Sequence, residues 1–182
     1  MNASNPKRQL PIDLAYLRLA CETSPDHGQH YLDGETGEII LITSDVRRQF
    51  DYFAETLTTP EAHTPEGMDA AMSAQNIPYL LQNAFRDVAR MTNPDADGRY
   101  ILIPGTNPVG DIQDMSAFLD HVSDTEIQEN LEACFAGGGT LSRYKAILSR
   151  DRMLLKAWLA FRDERITARA VKWLAGHGII PT

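Results

Sequence analysis

Between Tyr31 and Ile42 the chain reads Tyr-Leu-Asp-Gly-Glu-Thr-Gly-Glu and then Ile-Ile-Leu-Ile, two β-prone runs on either side of a glycine-containing turn. That pattern is the signature of a β-hairpin. Almost everything else in the chain repeats its apolar residues at helical spacing, so a hairpin here commits the fold to a small antiparallel sheet among helices. Tyr100-Ile-Leu-Ile103 is a second short apolar run, stopped by Pro104-Gly105, and fits a third strand beside the hairpin. The fold class expected is α+β: a mainly helical single domain spanning 1–182, with a hairpin at about 30–43, a strand at about 99–103 and a basic helical region over 141–182.

The helices follow from apolar spacing and from their caps. Ile12, Leu14, Leu17 and Leu19 predict a short first helix with Pro11 at its start. Thr43 or Ser44 caps a helix carrying Val46, Phe50, Phe53 and Leu57 on one face. From Thr58 to Ile77 the chain is rich in Thr, Pro, Ala and Met and is expected to be its most mobile segment, with a weakly amphipathic helix opening at Thr64-Pro65-Glu66. Pro78 opens a stronger helix through Leu81, Phe85 and Val88, which ends near Asn93-Pro94 before a turn at Asp95 to Gly98. Ile112, Met115, Phe118, Leu119 and Val122 carry another. Ser123-Asp-Thr-Glu126 matches a capping box for the next, with Ile127, Leu131, Cys134 and Phe135 inward. After Gly137-Gly-Gly139, three helices are expected, anchored by Leu141, Tyr144 and Leu148, by Leu154, Leu155, Trp158 and Phe161, and by Ile166, Ala170, Trp173 and Leu174, with Gly176 as the last cap.

Charge divides the chain unevenly. The net value is −8, but residues 1–140 carry −14 and residues 141–182 carry +6. An acidic protein with one basic island is poorly suited to non-specific nucleic-acid binding. At 182 residues one hydrophobic core suffices without disulfides or metals. Cys21 and Cys134 lie far apart with no CxxC or Cys/His ligand spacing and are read as reduced thiols. The polar stretch Met1 to Gln9 lacks the apolar core of a secretory signal and no run approaches the length of a membrane span, so a cytoplasmic location and no membrane partner are expected.

Three landmarks taken in order are more specific than any one of them: Tyr31-Leu-Asp-Gly-Glu-Thr-Gly-Glu38, the Ile103-Pro104 strand end, and Gly138-Gly-Thr-Leu-Ser-Arg-Tyr-Lys145 followed by Trp158-x-x-Phe161 and Trp173-Leu174. Together they resemble an uncharacterised bacterial protein family, UPF0158, over roughly Ile12 to Ile179. The chain departs from that family's pattern after the glycines, where Leu141-Ser-Arg-Tyr-Lys145 stands in place of a Phe-Arg-Arg-Phe-Lys-like string. The missing arginine weakens an anion site there. The resemblance implies no activity and carries over no catalytic or binding residue.

Two candidate sites lie in the basic island. Gly137, Gly138 and Gly139, with Thr140, Ser142, Arg143 and Lys145 at a helix start, would offer backbone N–H groups and the helix dipole to a phosphate or carboxylate. The competing reading is a plain helix cap and turn, since the P-loop spacing is absent and the glycines follow a helix. Arg165, Arg169 and Lys172 share one helical face, which Arg143, Lys145, Arg150, Arg152 and Lys156 would extend for phosphate-backbone contact. Against this stands pairing with the acidic helix through Glu126, Glu129 and Glu132.

Weaker signals complete the search. His27-Gly-Gln-His30 forms a metal pair only if both imidazoles share a face and a third ligand arrives. Asp33, Glu35 and Glu38 suit paired-carboxylate chemistry in principle, yet turn residues ask for the same side chains. His63, His121 and His177 stand alone in the sequence. No GxSxG, dinucleotide fingerprint or HExxH occurs. The sequence therefore points to a binding or regulatory module acting through a protein partner or a second copy of the chain, with no cofactor or metal. Nucleic-acid or nucleotide-phosphate binding by the glycine turn and basic helices is the alternative, and an enzyme with an unrecognised site the third reading.

Overall fold

A computed structural model describes residues 7–93, 98–136 and 140–182. It has the expected mainly helical α+β architecture. The elements run β1 (Arg8–Leu10), α1 (Leu14–Glu22), β2 (Gly28–Asp33), β3 (Ile39–Thr43), α2 (Ser44–Ala54), α3 (Pro65–Ala74), α4 (Tyr79–Thr92), β4 (Tyr100–Leu102), α5 (Pro108–Phe118), α6 (Thr125–Ala136), α7 (Leu141–Leu148), α8 (Arg152–Gly176) and β5 (Ile179–Pro181). Short 3-10 turns at Pro60–His63 and Leu119–His121 bridge neighbouring helices.

The three-stranded sheet is antiparallel with β2 in the middle, so Tyr31 faces Ile40 on one side and Leu102 on the other. Its turn is held by Asp33. One oxygen of that buried carboxylate accepts from the Glu35 and Thr36 backbone N–H groups at 2.9 and 3.4 Å, and Arg99 grips both oxygens at 3.0 and 2.6 Å. Glu35 sits on the same guanidinium, and Gly37 takes the positive φ of +83° that closes the loop. Asp33 and Glu35 thus tie the turn to the residue just before β4.

A second, parallel pair was not expected. β1 and β5 run side by side, Arg8 opposite Ile179 and Leu10 opposite Pro181. Their apolar residues join α1, Leu32 of β2 and the last turns of α8 in one cluster of Leu10, Ile12, Leu17, Ala170, Leu174 and Ile179. A second cluster packs α2, α3 and α4 on the outer strand β3, through Ile42, Phe53, Met68, Met72, Phe85 and Val88. A third gathers α5 to α7 around the first turns of α8, through Met115, Phe118, Leu131, Tyr144, Leu148 and Trp158.

Several boundaries move from their expected places. The cap of α1 is Asp13, which accepts from Tyr16 N–H at 3.0 Å, because a side-chain acceptor outweighs the favourable φ of Pro11. Asp124 fills the role expected of Ser123, accepting from Ile127 N–H at 3.0 Å. The basic island holds two helices: α8 runs unbroken for 25 residues, since Arg162 to Ile166 contains no glycine or proline to stop it. At its end Gly178, at φ +72°, takes the left-handed position assigned to Gly176. Thr58 to Ile77 is anchored by Met68 and Met72, and Thr64 caps α3 with Pro65 at its first turn as expected.

Candidate functional site

The expected basic face resolves into two sets of cations with opposite fates. Along α8, Arg162, Arg165 and Arg169 recur at steps of three and four and so point to one side. Facing them, Asp111 and Asp114 lie three apart on α5. Arg165 Nε donates to Asp114 Oδ1 at 2.9 Å, and Arg169 Nη1 reaches both Asp114 oxygens at 2.9 and 2.7 Å. Arg162 donates to Glu22 on α1 at 3.0 Å and to Asp111 at 3.2 and 3.3 Å. Arg18 extends the network by bridging Glu22 and Asp163, each at 2.9 Å.

Close approach of α5 makes this possible. A Cβ on Gly110 would sit 2.9 Å from Asn107 Nδ2 and 3.3 Å from Arg169 Cζ, so a side chain there would push the first turn of α5 off the arginines. Burial alone would lower the Arg162 guanidinium, but Glu22 and Asp111 hold it above its ordinary value. Three arginines meet Glu22, Asp111 and Asp114 in a balanced junction that fastens α1 and α5 to α8. A small cavity of about 80 Å³ remains among Cys21, Thr106, Asn107, Arg162 and Arg169. Burial pushes the Cys21 thiol up, against the opposing pull of Arg169, which leaves it a poor nucleophile.

Asp114 of α5 therefore pairs with Arg165 and Arg169, in place of Glu126, Glu129 and Glu132, none of which pairs with the island among the described residues. Lys172 is exposed and makes no ion pair among the described residues. The sequence did hold a signal for this junction: Asp111-x-x-Asp114 and Arg162-x-x-Arg165-x-x-x-Arg169 are complementary helical faces. Their pairing across 51 and 55 residues is a property of the packing.

The second set lies where α7 turns into α8. Arg143, Arg150, Arg152 and Lys156 are exposed, Lys145 is half-buried, and none makes an ion pair among the described residues. Asp151 sits among them, but its carboxylate caps α8 by accepting from Met153 and Leu154 N–H at 2.8 and 3.1 Å. Met153, 73% exposed, adds an apolar side chain to the same corner. Of the glycine-turn candidate, Gly137, Gly138 and Gly139 lie outside the described residues. Thr140 caps α7 by accepting from Arg143 N–H at 3.3 Å.

The remaining candidates separate. His27 is exposed while His30 is buried edge-on to the Tyr16 ring at 5.7 Å, so the two imidazoles do not share a face. Among the described residues no three His, Cys, Asp or Glu side chains gather as metal ligands, and no helix is long and apolar enough to cross a membrane. Trp158 is wholly buried against Phe118 and Tyr144 and offers no stacking platform. Comparison with protein-family models, with curated proteins and with solved structures finds no match to this chain.

Proposed function

We propose that this chain is a binding or regulatory module that acts through protein–protein contacts, receiving an acidic segment of its partner on the cationic corner between α7 and α8. One observation carries the reading. The chain pairs Arg162, Arg165 and Arg169 internally with carboxylates from α1 and α5, whereas Arg143, Lys145, Arg150, Arg152 and Lys156 make no ion pair among the described residues, the nearby Asp151 being taken up as the cap of α8. An exposed cluster of one sign steers an oppositely charged partner and sets its orientation. Met153 supplies the apolar contact that such rims surround. The −14 carried by residues 1–140 opposes an extended polyanion such as a nucleic acid more than a short acidic peptide confined to the corner. Kinship with UPF0158 belongs to this proposal as lineage and adds no activity to it.

Fluorescence anisotropy of a labelled oligo-glutamate peptide, at low and moderate salt, tests the reading beside single- and double-stranded RNA and DNA. Peptide binding that weakens with salt and disappears in Arg150→Glu/Arg152→Glu/Lys156→Glu is the expected result. Absence of peptide binding at low salt would sink it, and tighter binding of an oligonucleotide would transfer the corner to phosphate recognition.

A further inference from the structure

Phe53, Met72, Phe85 and Val88 retain 2% exposure or less, whereas Phe50, Leu57 and Met68 retain 7%, 8% and 7%. All three of the latter line a single cavity of about 440 Å³ enclosed by α2, α3 and α4, with Ala54 and Ala89 completing its apolar floor. That volume lies within the range of small-molecule sites, which typically join an apolar floor to a few polar groups.

The polar groups stand at its rim. Arg86 and Arg90, one helical turn apart on α4, both line the cavity, and among the described residues Asp69 of α3 is the one carboxylate that lines it with them. Arg86 uses Nε on Asp69 and Nη1 on Asn83, both at 2.8 Å, which leaves Nη2 without an acceptor among the described residues. Among the described residues Arg90 makes one ion pair, with Asp87 at 3.3 Å, the longest there. His63 is already engaged, its Nε2 lying 3.1 Å from the Leu57 carbonyl oxygen. Each arginine thus has one carboxylate beside it among the described residues, Asp69 for Arg86 and Asp87 for Arg90, and each keeps guanidinium donors that these contacts do not use, above an apolar floor.

We infer that this cavity binds a small amphipathic monocarboxylate, its apolar body against Phe50, Leu57 and Met68 and its carboxylate on Arg86 and Arg90. With each arginine already beside one carboxylate, the donors left over suit a monoanion better than a phosphate dianion, and a guanidinium can donate two parallel hydrogen bonds to a carboxylate. This inference is independent of the α7–α8 corner, which lies on other helices.

Calorimetric titration of the full chain with octanoate, 1-octanol and acetate tests it. Octanoate binds at one saturable site, 1-octanol about tenfold more weakly, and acetate not measurably, because head and body both contribute. Arg86→Gln/Arg90→Gln brings octanoate down to the 1-octanol affinity and leaves 1-octanol unchanged. Ala54→Leu or Ala89→Leu fills the floor and abolishes both; should these variants fail to fold, the rim variant still decides. Non-saturating octanoate, equal affinity for octanoate and 1-octanol, or octanoate binding that survives both filled variants would overturn the inference.

Discussion

Arg169 holds Asp114 through a single nitrogen placed 2.9 Å from one carboxylate oxygen and 2.7 Å from the other, and Asp114 is wholly buried behind it. Arg165 shares the same carboxylate. Removing Asp114 leaves two guanidinium groups facing each other with nothing between. Asp114→Ala is expected to cost about 3 kcal/mol, read as a fall of roughly 6 to 12 °C in Tm for a chain of this size. The double variant Asp114→Ala/Arg169→Ala should recover part of that loss, since it also removes one of the stranded charges. An unchanged Tm in Asp114→Ala would show that α5 does not depend on this clamp.

Asp33 gives the fold an acid limit. Burial would raise its carboxyl, but the hydrogen bonds from Arg99 and from the Glu35 and Thr36 backbone outweigh it and set it below the ordinary 3.8. A carboxylate depressed in the folded state contributes stability above its unfolded value and loses it as pH falls through the folded value. Urea melts should therefore lose stability below about pH 4, and Asp33→Asn should flatten that limb while lowering stability at neutral pH by about 2 kcal/mol. A limb equally steep in Asp33→Asn would place the acid sensitivity elsewhere.

His30 adds a milder dependence at higher pH. Its burial lowers the imidazole below the ordinary 6.5, so the folded chain keeps it neutral while the unfolded chain takes up a proton. Stability should decline as pH drops below about 6.5 and level off at the folded value. Melts of the parent and of His30→Phe at neutral and mildly acidic pH check this. Parallel declines in the two proteins would clear His30 of the effect.

Gly67 in the first turn of α3 marks a contact that admits no side chain. A Cβ there would overlap the carbonyl oxygen of Glu61 in the preceding 3-10 turn. Gly67→Ala is expected to destabilise by about 2 kcal/mol, and hydrogen exchange should locate the loss in α3 and the Pro60–His63 turn. Full stability would mean that the turn yields without strain.

Local features were legible in the sequence because local chemistry specifies them. The hairpin declared itself through Asp33, Gly37 and the isoleucines of β3, and α2 through Thr43 and the spacing of Phe50, Phe53 and Leu57. The parallel pair was not legible, since Arg8-Gln9-Leu10 is too short to alternate and its partner lies at the far end of the chain. α8 reads in sequence as two helices because the charged run Arg162-Asp-Glu-Arg165 interrupts its apolar residues, although Trp158, Arg162, Ile166, Ala170 and Leu174 form one buried face at steps of four. The spacing of Arg165, Arg169 and Lys172 is legible as one helical face, but the pairing of the two arginines with Asp114 is not, because that carboxylate gains meaning only when α5 is laid against α8. The cavity among α2, α3 and α4 left no trace in the sequence at all, because its lining residues read as ordinary core positions.

The pairing of β1 with β5 bears on how the chain is made. Leu17 and Ala20 on α1 are synthesised early, yet the residues that cover them, Ala170, Leu174 and Ile179, are synthesised late. On the ribosome the second cluster, assembled entirely from residues 42–88, has all its parts in hand while the first waits with an apolar face uncovered. During synthesis α1 therefore keeps an apolar face open until α8 and β5 have been made.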